Sequence, residues 1–172
     1  MCDKISFRAP IRMYDDIDRK ILDILQTDAD QPIADIADAV GLSQTPCWRR
    51  IRRMEEDNLI KKKVVLVDRK QANVPMTVFM SVRAPRHAAD WLEAFRNLIR
   101  NTPEILEAYR LTGETDYLLR IVVPDIDHFD QVYQRMISKL EFSDMTSAIS
   151  MEEMKFTTAV PTRYLPMNRR GK

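Results

Sequence analysis

Glycine is almost absent from this chain, with three in 172 residues. That scarcity excludes a glycine-rich phosphate cradle, and no GxSxG elbow, HExxH or CxxC pattern occurs either. Cysteine is equally sparse. Cys2 and Cys47 are far apart and make no disulfide framework, and Cys47 reads as a small buried hydrophobe. No apolar run approaches the roughly 18 residues that a membrane-spanning helix needs. The opening stretch MCDKISFRAPIRMYDD lacks the apolar centre of a signal peptide. A reducing, cytoplasmic setting without a membrane partner is therefore expected. The two histidines, His87 and His128, are isolated and read as surface residues. Glu152 and Glu153 are sequence neighbours, so on a strand they face opposite ways and cannot serve one substrate atom. Neither catalysis, a metal nor a cofactor is expected.

What the chain does contain is ordinary globular composition with one local charge asymmetry. Hydrophobic residues make up 45%, charged residues 31%, and net charge is +1. Between Gln44 and Lys63, however, seven basic residues stand against three acidic ones. The imbalance marks this segment as a candidate contact for a polyanion, although a run of this kind is often only a solvated face.

That segment overlaps VGLSQTPCWRRIRRMEEDNLI, residues 40–60, which reads as a helix end, a tight turn and a second helix. Gly41 suits the left-handed conformation that ends a helix, Ser43 suits an N-cap, and Pro46 falls within the first turn, where a missing N–H costs little. Cys47, Ile51 and Met54 recur at helical spacing as an apolar seam. Asn58 is a fitting left-handed stop. Upstream, Asp15 or Asp16 caps a helix with the apolar stripe Ile17, Ile21, Ile24 and Leu25. A second helix over 33–40 buries Ile33, Ile36, Ala37 and Val40. Three short helices with a tight turn before the third make a helix-turn-helix, whose last helix enters the DNA major groove. The candidate DNA face is Ser43, Gln44, Thr45, Trp48, Arg49, Arg50, Arg52 and Arg53. Residues early in the helix are placed to read bases, and the arginines mostly to hold phosphates. For Trp48, capping the bundle core is the alternative, since tryptophan is seldom fully exposed.

Residues 61–75 form a linker, with a short strand at Val64 to Val67 and a domain boundary at the proline. The second half changes rhythm. Residues 76–83 alternate as a strand with Met76, Val78, Met80 and Val82 on one face. Residues 88–101 are helical, 105–112 and 117–123 are strands around a turn, a helix opens at Pro124-Asp125, and 145–156 is extended. The order β-α-β-β-α-β is the ferredoxin-like split motif. The fold class expected is α+β, with a three-helix domain over 14–60 and a ferredoxin-like domain over 76–160. A loose extension (1–13) and a tail (161–172) flank them. This fold also hosts enzymes, metal carriers and RNA readers. The strands EILEAYRLT and YLLRIVV offer one Tyr each, a poor match to an RNA-reading sheet.

The runs DDIDRKILDILQTDA, IADIADAVGLSQTPCWRRIRRMEEDNLI, LTGETDYLLRIVVPD and SMEEMKFTTAVP resemble the Lrp/AsnC family of transcription regulators. The resemblance covers about Tyr14 to Pro161. The TPCWRR, TGETDYLL and KFTTAVP runs further resemble a subgroup with a cysteine-responsive member. The resemblance implies double-stranded DNA as partner, homo-dimers that assemble into tetramers or octamers, and a small amino acid bound between dimers near the strand-strand turn. Carried onto this chain, the effector turn is Gly113, Glu114, Thr115, Asp116 and Tyr117, with Arg110, Leu111, Ile126 and Ser150 as neighbours. The position of Glu114 is often Asp in the family, that of Thr115 often aromatic, and residues 141–144 lack a glycine many relatives have. From the residues alone, Gly113 and Asp116 are also explained by turn chemistry. With the resemblance, Asp116 or Glu114 is expected to pair an ammonium group and turn amides a carboxylate. Two functions stand against each other: an amino-acid-responsive regulator, and an architectural DNA-binding protein without an effector.

Overall fold

The computed structural model describes residues 13–85 and 89–166. Cys2, His87 and nearly all of the 1–13 extension lie outside that range. The chain divides into two units, the first Met1–Val65 with Lys155–Lys172 and the second Leu66–Met154.

The first unit carries helices α1 (Asp16–Thr27), α2 (Ile33–Val40) and α3 (Gln44–Glu56). Asp15 caps α1 by accepting from the Asp18 N–H, and the Asp18 carboxylate accepts from the Asp15 N–H in return. This reciprocal pair is an acidic form of the capping box. Gly41 ends α2 at φ 73°, which lets the Leu42 N–H reach back to the Ala37 carbonyl at 2.8 Å. That six-to-one bond is a Schellman turn. Asn58 does the same for α3 at φ 57°, with Leu59 N–H bonded to Met54 O. Ile21, Leu22, Ile36, Ala37, Cys47, Ile51 and Met54 form the core, with Tyr14 buried against it. Leu22 joins the α1 stripe beside Ile21, with Ile17, Ile24 and Leu25 partly buried against the core, and Ile33 stays exposed at the start of α2.

The second unit is a four-stranded antiparallel sheet in the order β2-β3-β1-β4, from β1 (Met76–Arg83), β2 (Ile105–Arg110), β3 (Tyr117–Val123) and β4 (Asp144–Ile149). Helices α4 (Ala89–Arg100) and α5 (Ile126–Ile137) supply the rest of its core. As the alternation predicts, Val78, Met80 and Val82 are buried, and they meet Leu119, Ile121, Phe95, Val132 and Met136. Trp91 and Phe95 stack at 4.9 Å, Tyr117 lies 4.8 Å from Phe95, and the Trp91 indole N–H donates to Glu141 O at 2.7 Å. Thr77, Phe79, Ser81, Leu118 and Arg120 alternate with the buried set and therefore face away from this core.

Four boundaries differ from the sequence reading. Val64 to Val67 make no strand in this chain, and all four side chains are exposed. The 68–74 stretch, expected as part of the linker, folds as a turn against the sheet unit. Asp68 accepts from the Lys70 and Gln71 N–H groups, Asn73 turns at φ 59°, and Arg69 bonds to Thr77 and Glu153. These bonds join it to the sheet unit. Strand β4 ends at Ile149 instead of continuing to 156. Ser150 N–H still bonds to Thr77 O, but β1 begins at Met76 and offers no further partner. Finally, residues 161–166 are not a tail. Thr162 is buried, its hydroxyl donates to Asp23 at 2.7 Å, and Leu165 packs against the helical core.

Candidate DNA interface and ligand turn

Helix α3 presents its candidate residues on two different sides. Thr45, Trp48, Arg49 and Arg52 follow one another at spacings of three, one and three residues, so they share a face. All four are exposed. Trp48 is 49% exposed, which removes the core-capping alternative, and the Arg52 guanidinium lies 5.9 Å from its ring centre. Ser43 sits at the N-cap without a side-chain capping bond, and Gln44 is exposed beside it. Arg52 also meets Glu55 at 3.3 Å, an exposed pair of little energetic weight.

Arg50 and Arg53 point elsewhere. Arg50 donates to Asp15 at 2.7 Å and to Asp18 at 2.8 Å. Arg53 donates to the second oxygen of Asp18 at 2.5 Å and lies over the Tyr14 ring at 5.7 Å. The Asp18 side chain is only 1% exposed. Burial pushes the Asp15 carboxyl up, but the Asp18 N–H and the Arg50 guanidinium outweigh it and leave Asp15 below its ordinary value. Burial likewise works against the Arg50 cation, and its bonds to Asp18 and Asp15 more than offset that, so its pKa is raised. Cys47, inside the seam, is pushed up by burial. Arg50, one of the arginines expected mostly to hold phosphates, has hydrogen bonds that tie α3 to the start of α1.

The effector candidates likewise separate. Arg110, Leu111 and residues 113–117 occupy the β2–β3 hairpin. Gly113 has φ 109°, a conformation that side-chain-bearing residues rarely adopt. The hairpin is tied to the end of β1: Asp116 N–H donates to Val82 O, the Asp116 carboxylate accepts from the Ala84 N–H at 2.9 Å, and Arg83 donates to Glu114 O at 3.0 Å. Tyr117 is buried among Trp91 and Phe95, so its ring belongs to the core of the sheet unit. Glu114 is exposed and Thr115 half-buried. Ile126 and Ser150 stand at the opposite end of the sheet. Ile126 follows β3, and Ser150 is bonded to Thr77, which pairs with Val122. The six residue steps of β3 separate the two groups by about 20 Å. One chain alone does not bring them into one site.

The helical segment 15–55 matches the model of the AsnC-type helix-turn-helix domain, and 77–160 matches that of the Lrp/AsnC ligand binding domain. A glutamate uptake regulatory protein of Zymomonas mobilis is 42% identical over 151 residues, covering 88% of this chain and 92% of its own. The chain belongs to the Lrp/AsnC family of transcriptional regulators. The DNA-binding transcriptional activator DecR of Escherichia coli is 37% identical, covering 87% of this chain and 99% of its own. Among solved structures, an AsnC family regulator from Agrobacterium tumefaciens superposes with a TM-score of 0.86 at 49% identity, covering 88% of this chain and 99% of that one. A Neisseria meningitidis transcriptional regulator in complex with L-Met gives 0.85 at 32% identity, covering 89% and 99%. The Lrp/AsnC assignment thus rests on both units and nearly the whole length.

Sequence reasoning missed Asp15, Asp18 and Tyr14 as partners of the arginines. The Asp15–Asp18 spacing showed a helix start, but Asp18 and Arg50 are 32 residues apart and nothing local links them.

Proposed function

We propose that this Lrp/AsnC regulator reads operator DNA with Ser43, Gln44, Thr45, Trp48, Arg49 and Arg52. We also propose that a small amino acid controls its assembly or DNA affinity. The observation that carries the reading is the exposed Thr45–Trp48–Arg49–Arg52 face of helix α3, in a chain whose second unit matches a ligand-binding domain. A polar helix start with an aromatic and two arginines behind it suits base contact first and phosphate contact after. We further propose that it works in the cytoplasm, as a regulator and not as an enzyme; its curated relatives are named as transcriptional regulators.

The effector reading takes support from the Neisseria relative solved with L-Met. Because the candidates sit at two ends of the sheet, the site we propose is completed by a second copy of the chain. One copy contributes the 110–116 hairpin, with exposed Glu114 and Arg110 offering charges of both signs for an ammonium and a carboxylate. Asp116 acts by holding the hairpin to β1, as its bond to the Ala84 N–H favours. A homo-oligomer also suits the sheet, whose second face shows Phe79 at 41% exposure while both helices pack on the other face. A ligand at such a contact shifts assembly by its differential affinity for the assembled state.

The test is a thermal-shift and light-scattering screen of the common amino acids, followed by Asp116→Ala and Glu114→Gln. The expected result is a melting or assembly shift with at least one amino acid, weakened in both variants. A chain that responds to none of them at millimolar concentration is an architectural DNA-binding protein, and a monomer in light scattering removes the shared site.

A further inference from the structure

We propose that Asp18 is a specificity-determining residue for DNA binding, because its buried carboxylate withholds Arg50 and Arg53 from the phosphate backbone. The proposal rests on the α3 face described above. Four arginines lie within five residues of one another on α3. Arg49 and Arg52 share the face with Thr45 and Trp48, while Arg53, though exposed, and half-buried Arg50 are ion-paired on the side toward α1. These last two converge on one carboxylate that is 1% exposed. Oδ1 of Asp18 takes Arg50, and Oδ2 takes Arg53 together with the Asp15 N–H. Asp15 supplies the second carboxylate to Arg50. Two acids and two bases therefore cancel on the side of α3 that meets α1.

A phosphate contact carries no sequence information, and each one adds affinity for any duplex. A helix with four free arginines grips all DNA strongly, and its preference for one operator shrinks accordingly. Pairing two of them internally leaves the base-reading residues a larger share of the binding free energy. It also fixes the rotation of α3, since Arg50 and Arg53 are anchored to the N-terminal turn of α1. Asp18 touches no base in this account. It acts through the two guanidinium groups.

The substitution to make is Asp18→Asn, which keeps the shape and an acceptor while removing the charge. Each phosphate newly neutralised steepens the plot of log binding constant against log salt by about 0.9. Asp18→Asn alone frees Arg53, because Asp15 still holds Arg50 at 2.7 Å. It steepens the plot by about 0.9 per helix-turn-helix unit, about a 3.5-fold extra loss of affinity over a fourfold range of salt. Adding Asp15→Asn frees Arg50 as well and brings the change to about 1.8, about twelvefold. Binding to random-sequence duplex at low salt rises, and the ratio of operator to random affinity falls. Adding Arg50→Gln to the Asp15→Asn, Asp18→Asn chain recovers about half of the added slope, and adding it to Asp18→Asn alone recovers none. A merely structural role moves none of this upward: it lowers affinity for all duplexes with an unchanged or shallower slope, and that result overturns the proposal. Should Asp18→Asn not fold, Arg50→Gln in the otherwise unaltered chain decides. The proposal expects the wild-type slope, and a slope shallower by about 0.9 places Arg50 on a phosphate and refutes it. If the wild-type chain itself shows no preference for any operator, the reading of the α3 face fails, independently of what Asp18 does.

Discussion

The helix-turn-helix unit is completed by residues that arrive after the whole sheet domain has been built. Thr162 and Leu165 are the two that matter most. The Thr162 hydroxyl donates to the Asp23 carboxylate at 2.7 Å from an environment that leaves Thr162 8% exposed. Replacing it with valine keeps the volume and removes the donor. Asp23 is exposed and regains water, so the loss is about 1 kcal/mol and not the full cost of an orphaned charge. Leu165 is partly buried against the helical core, and Leu165→Ala removes about 1 kcal/mol of apolar burial. The double variant therefore loses about 2 kcal/mol from this unit, provided the two sites add. Hydrogen exchange resolved by segment is the assay. A loss of about 2 kcal/mol accelerates opening of the protected amides in α1 roughly thirtyfold. Amides of β1 and β3, in the other unit, keep their wild-type rates. The reasoning is refuted if α1 exchange is unchanged. It is equally refuted if both units accelerate together, since that means one cooperative body.

Three further outcomes are expected. Gly113→Ala meets no steric obstacle within 4 Å but is forced to φ 109°, so it costs about 1–3 kcal/mol and loosens the 110–116 hairpin, which a urea melt of the variant measures. Glu107 is held below its ordinary carboxyl value by the Arg120 guanidinium at 2.5 Å. Its contribution is complete above the ordinary value of 4.5 and disappears as pH falls through the lowered value, so stability drops in acid and Glu107→Gln flattens that part of the profile. Cys47 is fully buried and its thiol is pushed up, so in a Cys2→Ser chain a thiol reagent labels it only as fast as the helical unit opens.

Much of this fold is legible in the sequence because the signals are local. Gly41, Ser43 and Asn58 mark the ends of helices at the positions where the chain turns, and the 76–83 alternation places Val78, Met80 and Val82 inward without knowledge of any partner. What was not legible depends on distance along the chain. Arg50 and Arg53 look identical to Arg49 and Arg52 in composition, and only the fold brings Asp18 beneath two of them. The 161–166 stretch carries no periodicity that announces its return to α1. Val64 to Val67 have strand-forming side chains, but a strand needs a neighbour, and none of the described residues pairs with them. In the effector candidates, Ile126 and Ser150 entered through family resemblance alone. The strand register then placed them at the far end of the sheet from Gly113.

The central claim is that one molecule couples operator binding through α3 to an amino acid at the sheet unit. The direct measurement is a titration of operator DNA at fixed salt, repeated in the presence of each common amino acid at millimolar concentration. The account predicts that at least one amino acid changes the apparent DNA affinity of the wild-type chain, and that Glu114→Gln reduces that change while binding operator normally without the amino acid. DNA affinity that is the same with every amino acid contradicts it.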